Sequence, residues 1–126
     1  MAFTRFEDID VWQMSRELAR NVYQVTAGGL FAKDWGLKDQ IQRAAVSISS
    51  NIAEGHGRRG NREMVKFLWI AKGSASEVQS QLYIALDMNY LTKDQFDKLY
   101  NDANLIQVKL YRLIQSFSSD LDRQKV

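Results

Sequence analysis

Between Met64 and Asn89 the residues Met64, Leu68, Ala71, Ala75, Val78, Leu82, Ala85 and finally Asn89 step by four and three in strict alternation. Such spacing lays one narrow apolar seam along a helix and commits it to partner helices, because a strand would bury every second residue instead. A helix unbroken to Asn89 is roughly 45 Å long at 1.5 Å per residue. Asn61 is an acceptable N-cap for it. The small residues Gly73, Ser74, Ala75 and Ser76 interrupt its bulk midway, which predicts that a neighbouring helix approaches closely there.

The rest of the chain repeats that pattern, and it contains no Pro to break it. From about Asp8 to Ala27, Val11, Met14, Leu18, Val22 and Val25 recur at spacings of three and four, and Gly28-Gly29 makes further helix costly. The connection GLFAKDWG then carries Phe31 and Trp35, both read as cover for the end of the core. A second helix is predicted from about Leu37 to Glu54, with Leu37, Ile41, Ala44, Ala45, Ile48 and Ile52 on its apolar face and a stop at Gly55 and Gly57. After a turn at Tyr90-Leu91, Thr92 and Gln95 have the spacing of a reciprocal cap. They open a fourth helix whose seam is Phe96, Leu99, Ala103, Ile106, Leu110, Leu113 and Phe117, with a polar, frayed tail from Ser118. Four amphipathic helices with such connections predict an all-α fold, an antiparallel up-down-up-down four-helix bundle. At 126 residues this is one domain, with its core over about residues 8–117.

The chain has no Cys, which removes disulfides, thiolate nucleophiles and Cys-based zinc sites and fits a reducing, cytoplasmic compartment. No signal peptide and no apolar run of roughly 20 residues is visible, so a soluble protein without a membrane partner is expected. The formal charge is only +2. It is unevenly placed, with +4 in residues 38–72 and −1 on either side.

Candidate chemistry concentrates between Gln40 and Lys72, and it reads as binding. His56 is the sole histidine, and it sits in a mobile-looking glycine turn with no motif setting a serine and an orienting carboxylate around it. A di-metal bundle site needs inward Glu-x-x-His pairs on two helices, which one histidine cannot supply. The segment GHGRRG matches no phosphate-loop pattern and follows a helix instead of a strand. No enzyme activity, cofactor or metal is therefore expected.

Two features remain. Gln40, Arg43, Ser47, Asn51 and Glu54 form a second stripe on helix two, rich in short amide and hydroxyl groups suited to hydrogen bonding with another helix, another subunit or a ligand. Just beyond it, Arg58, Arg59, Arg62 and Lys66 bring cations to one end of the bundle, beside the start of helix three, where backbone N–H groups also favour anions. With Arg43 they are the expected nucleic-acid-binding residues. Contacts of this kind hold backbone phosphates of RNA or DNA without reading bases. Phe67, Trp69, Ile70 and Tyr83 lie off the main seam and are available to build an assembly. Packing is the expected role of Trp69.

The segments FEDIDVWQMSRELA, QIQRAAVSISSNIAEGHGRR and FLWIAKGSASEVQSQLYIALDMNYL resemble the bacterial four-helix-bundle proteins encoded by intervening sequences within large-subunit ribosomal RNA genes. The accessory variability determinants of diversity-generating retroelements are similar. The resemblance spans about residues 3–117. It implies a bundle assembling into a pentameric ring with a basic surface, which in the retroelement members binds a reverse transcriptase and nucleic acid. The family pattern falls here on Arg43, Ser47, Asn51, Glu54, Gly55 and Arg58, and on Gly73, Ser74 and Glu77; it carries no catalytic residue. The charge of +2 departs from the strongly basic retroelement members. The expected function is a non-enzymatic homo-oligomer that binds nucleic acid, with Gln40, Ser47, Asn51, Glu54, Ser74 and Glu77 forming a polar network or subunit interface. The alternative is a protein-interaction scaffold, such as a reverse-transcriptase accessory, that does not touch nucleic acid.

Overall fold

Each of the four periodic segments is a helix in the computed structural model, which describes residues 3–124. The helices are α1 (Asp10–Thr26), α2 (Trp35–Gly57), α3 (Asn61–Asp87) and α4 (Lys93–Gln124), and single 3-10 turns lie at Phe6–Asp8 and Phe31–Lys33. No strand occurs among the described residues. Each helix packs on the next and α4 returns to α1, giving the antiparallel up-down-up-down bundle; the α2–α3 and α3–α4 pairings are the most extensive.

The α3 seam is buried from Met64 to Ala85. Asn89 is not part of it. It follows the helix in a left-handed conformation with φ 61°, while the Asn89 and Tyr90 amides bond back to the Leu86 and Ala85 carbonyls. Asn tolerates that conformation better than most side chains, so it ends α3 instead of packing in it. On α1, Val11, Leu18 and Val22 are buried as expected, but Met14 and Val25 are only half-buried, and Ser15 and Thr26 take core positions. Their hydroxyls donate to the Val11 and Val22 carbonyls at 2.7 and 2.9 Å, which satisfies them without water. On α4 the seam holds to Leu110 and then passes to Ile114 and Phe117, leaving Leu113 half-buried. Thr92 and Gln95 cap α4 reciprocally, at 2.9 and 3.1 Å. The tail expected to fray from Ser118 is helical to Gln124, with Leu121 half-buried and Arg123 paired to Asp120.

Helix α2 departs most from the sequence expectation. It begins earlier because Asp34 caps it, its Oδ1 accepting the Leu37 amide at 3.1 Å. Trp35 thereby becomes the first helical residue and is 76% exposed, so it does not cover the core; Phe31, 1% exposed, does so alone. The other Asp34 oxygen, Oδ2, accepts the Tyr90 hydroxyl at 3.0 Å, and the Tyr90 ring lies 5.2 Å from that of Phe31. One carboxylate thus joins the α1–α2 connection to the α3–α4 turn.

At its other end α2 does not stop at Gly55 but runs to Gly57. Gly55 is buried against α3, where an added Cβ would lie 2.9 Å from Phe67 Cβ and 3.1 Å from Met64 Sδ. The close approach expected along Gly73, Ser74, Ala75 and Ser76 is made by the buried Ser74, whose hydroxyl meets Ser47 of α2 at 2.9 Å, and Ala75 beside it is buried, while Gly73 itself faces open space and the tightest glycine contact lies here at Gly55. Packing at Gly55 offsets the roughly 1 kcal/mol that glycine costs within a helix.

Gly55→Ala is expected to destabilise the bundle by about 1–3 kcal/mol through overpacking, whereas Gly73→Ala should stabilise it by roughly 0.5–1 kcal/mol. Urea unfolding of both variants checks the contrast, and equal effects would contradict the close approach. The Tyr90 phenol is raised in pKa by its hydrogen bond to Asp34, by burial and by the carboxylate charge. Its contribution to stability is therefore full below the unfolded tyrosine pKa of about 10 and is lost as pH rises through the higher folded value. An absorbance titration should show one tyrosine ionising later in the folded than in the denatured protein, and Tyr90→Phe should remove it.

Candidate nucleic-acid interface at the α2–α3 turn

The polar stripe of α2 divides into three parts. Ser47 and Asn51 face α3, where the Ser47 and Ser74 hydroxyls meet at 2.9 Å and Asn51 Nδ2 donates to the Ser47 carbonyl and hydroxyl at 2.8 and 2.9 Å. These three residues clasp two helices of the same chain. Glu54, one turn on, accepts from Arg58 Nε at 2.9 Å. Gln40, about 10 Å back along α2 from Ser47, and Glu77 on α3 are exposed and border a shallow groove of about 480 Å³. Gln81 lies in the same groove, and its buried Oε1 has no hydrogen-bond partner among the described residues.

The cations also divide. Arg43 is paired with Asp39 at 2.9 Å and stands about 22 Å along α2 from Arg58. Arg58 bridges Glu54 and, at 3.6 Å, Glu63, so it ties the end of α2 to the first turn of α3. The Glu54 hydrogen bond and then its charge hold the guanidinium more firmly protonated than usual. Arg58 and Lys66 flank the Phe67 ring at 5.2 and 5.6 Å from its centroid. Arg59, Arg62 and Lys66 are exposed and make no ion pair among the described residues.

Local backbone explains the crowding. The turn between α2 and α3 is only three residues, Arg58 to Gly60, and Arg59 closes it in a left-handed conformation with φ 55°. Asn61 is not the N-cap but the first residue of α3; Gly60 precedes it, and no side chain caps the helix. The first amides of α3 are left without a side-chain acceptor at the positive end of the helix dipole. A cleft of about 370 Å³ beside this helix start is walled by Phe3, Thr4, His56, Arg59, Asn61 and Phe117.

His56 belongs to the last turn of α2, not to a mobile glycine turn, and its Nε2 donates to the Phe3 carbonyl at 2.8 Å. That bond fixes Nε2 as the protonated nitrogen and anchors the N-terminal segment across the bundle end. Nearby, Glu7 is held below the usual carboxylate range, first by its own backbone N–H and then by Arg5, with a smaller pull from His56. No group of three or more metal-ligating side chains occurs among the described residues. Nor is any helix there long and apolar enough to cross a membrane. Neither the Phe3–His56 bond nor the Phe67 platform is legible in the sequence, since residues 3 and 56 share no motif and Phe67 reads only as an apolar residue beside the seam.

The geometry defines an antiparallel four-helix bundle with an internal polar clasp and a cation-rich turn at one end. Residues 7–112 match the 23S rRNA-intervening sequence proteins, and the chain belongs to that family. It is similar to the crystal structure of a protein with unknown function from the S23 ribosomal protein family of Bacteroides thetaiotaomicron VPI-5482, with a TM-score of 0.76 and 26% identity over 82% of this chain and 97% of that one. No curated protein matches it.

The clasp should behave as a coupled unit. A double-mutant cycle of Ser47→Ala and Asn51→Ala is expected to show about 0.5–1.5 kcal/mol of coupling in urea unfolding; additive effects would mean that the two side chains act separately.

Proposed function

We propose that this protein is a non-enzymatic homo-oligomer, pentameric in assembly, that holds the phosphate backbone of RNA or DNA at the α2–α3 turn. One observation carries the reading. Arg59, Arg62 and Lys66 are free of carboxylates among the described residues and stand beside the uncapped start of α3. Unpaired cations at helix-terminal amides suit an anion that offers several oxygens at once. Arg58 serves by holding the turn, and Arg43 supplies a separate, carboxylate-paired contact farther along α2. Membership in a family described by an intervening sequence of 23S rRNA supports RNA as the first ligand to test.

Three free cations bind a polyanion weakly, and a closed ring would multiply them into an avid surface. Half-exposed apolar side chains off the core, including Ile70, Tyr83 and Ile84, supply area for contacts between copies. Catalysis has little support here, because the single histidine is committed to the Phe3 carbonyl. A second reading, a scaffold for another protein such as a reverse transcriptase, is favoured by Arg58 alone, whose ion pairs with Glu54 and Glu63 are structural.

Binding to structured RNA and to single- and double-stranded DNA is expected at low salt, weakening linearly in a log–log plot against salt. Arg59→Ala, Arg62→Ala and Lys66→Ala should each reduce that slope by about 1. Failure to bind any of the three ligands at low salt sinks the proposal. Loss of the oligomer in an Arg58, Arg59 and Arg62 triple alanine variant, with nucleic-acid binding unaltered, would favour the scaffold.

A further inference from the structure

On the outward face shared by α3 and α4, the stretch around Trp69 and Tyr111 has no part in the reading above. Trp69 and Tyr111 meet there edge to face, with centroids 6.1 Å apart, yet they remain 48% and 45% exposed. Neither ring closes the core, which is complete beneath them at Leu68 and Leu110. Tyr111 lines a groove of about 510 Å³ between the two helices. Lys72 and Arg112 stand in its wall, and neither makes an ion pair among the described residues; Trp69 lies at the rim, outside the lining, with Lys72 Nζ 6.0 Å from its ring centroid on one side. The other lining groups are the Val108 side chain and three amides, with no carboxylate.

Half-exposed ring faces, unpaired cations and amides are complementary to a strand whose bases are unstacked and whose phosphates are negative. The face is also continuous with the arginine turn. Arg62, Lys66, Trp69 and Lys72 follow at spacings of four, three and three along the outer side of α3, over roughly 15 Å.

We propose that the α3–α4 groove is a stacking platform for the unpaired bases of single-stranded nucleic acid, with Trp69 and Tyr111 receiving bases and Lys72 and Arg112 the phosphates between them. The inference rests on the nucleic-acid reading of the α2–α3 turn and adds strand selectivity to it. The turn holds phosphates whether or not bases are paired, whereas a duplex keeps its base faces stacked on each other and has none to offer the rings. An acidic peptide would meet the cations and leave the ring faces unused.

The test compares an oligouridylate with a blunt-ended RNA duplex of similar length, by fluorescence anisotropy on the full chain at low salt, with oligomeric state followed by light scattering. Trp69→Ala and Tyr111→Ala are each expected to weaken oligouridylate binding about tenfold and to leave the duplex affinity and the oligomer unchanged. Trp69→Phe should restore most of the loss. Oligouridylate should quench tryptophan emission in the wild type and not in Trp69→Phe, while Arg59→Ala/Arg62→Ala should weaken both RNAs. Equal loss on both RNAs from the ring variants, or no loss on either while the wild type binds, overturns the platform and leaves the arginine turn standing. Absence of wild-type binding to either RNA overturns both readings. Dissociation of the oligomer by the ring variants assigns the face to contact between copies and overturns the platform. Oligoglutamate that displaces the oligouridylate with the same quenching assigns it to acidic peptides, with the same consequence.

Discussion

The missing side chain at Gly55 sets how near α2 lies to α3, and most of the molecule's functional geometry depends on that separation. With Met64 and Phe67 packed where a Cβ would stand, the two helices approach closely enough for a turn of three residues to join them. Two turns back along α2, the short side chains of Ser47 and Ser74 meet directly across the same gap. A longer pair would have to point outward or push the helices apart, and the amide of Asn51 would lose the hydroxyl it now binds.

The short turn has an electrostatic consequence. Arg58, Arg59 and Arg62 cannot disperse, and among the described residues only Arg58 of the three finds carboxylates, one on each helix. Exposed ion pairs of this kind add little stability by themselves. Their value here is positional, because they fix the turn while the neighbouring cations stay solvated. The opposite end of the bundle is built differently. There Asp34 satisfies a helix amide and a phenol at once, and Phe31 fills the space beneath. One end is closed by a shared carboxylate, and the other is left with uncapped amides.

Helix number, order and most of the buried seams were legible in the sequence, because spacing alone determines which faces must meet. Departures arose where a polar side chain solved its own burial. Ser15 and Thr26 entered the α1 seam by bonding to carbonyls one turn back, so an apolar count passed over them. Helix ends departed for the complementary reason, since tertiary packing kept α2 going through glycines that would stop an isolated helix. Exposure of Trp35 followed from a cap two residues earlier than the apolar pattern implied. Of the candidate site, the cluster Arg58, Arg59, Arg62 and Lys66 was legible because it spans one short stretch of chain. Its division into paired and free cations was not, since this depends on which carboxylates the turn brings within reach.

The His56–Phe3 bond places the beginning of the described chain against the arginine turn, and Phe117 brings α4 to the same cleft from the other side. A charged group attached near Phe3 would therefore lie beside the cations and act as a tethered competitor. The far end of the bundle offers a neutral attachment point. At Gly28-Gly29 the backbone is exposed with open space around both residues, so a label or inserted reporter there would sit a bundle's length from the arginine turn.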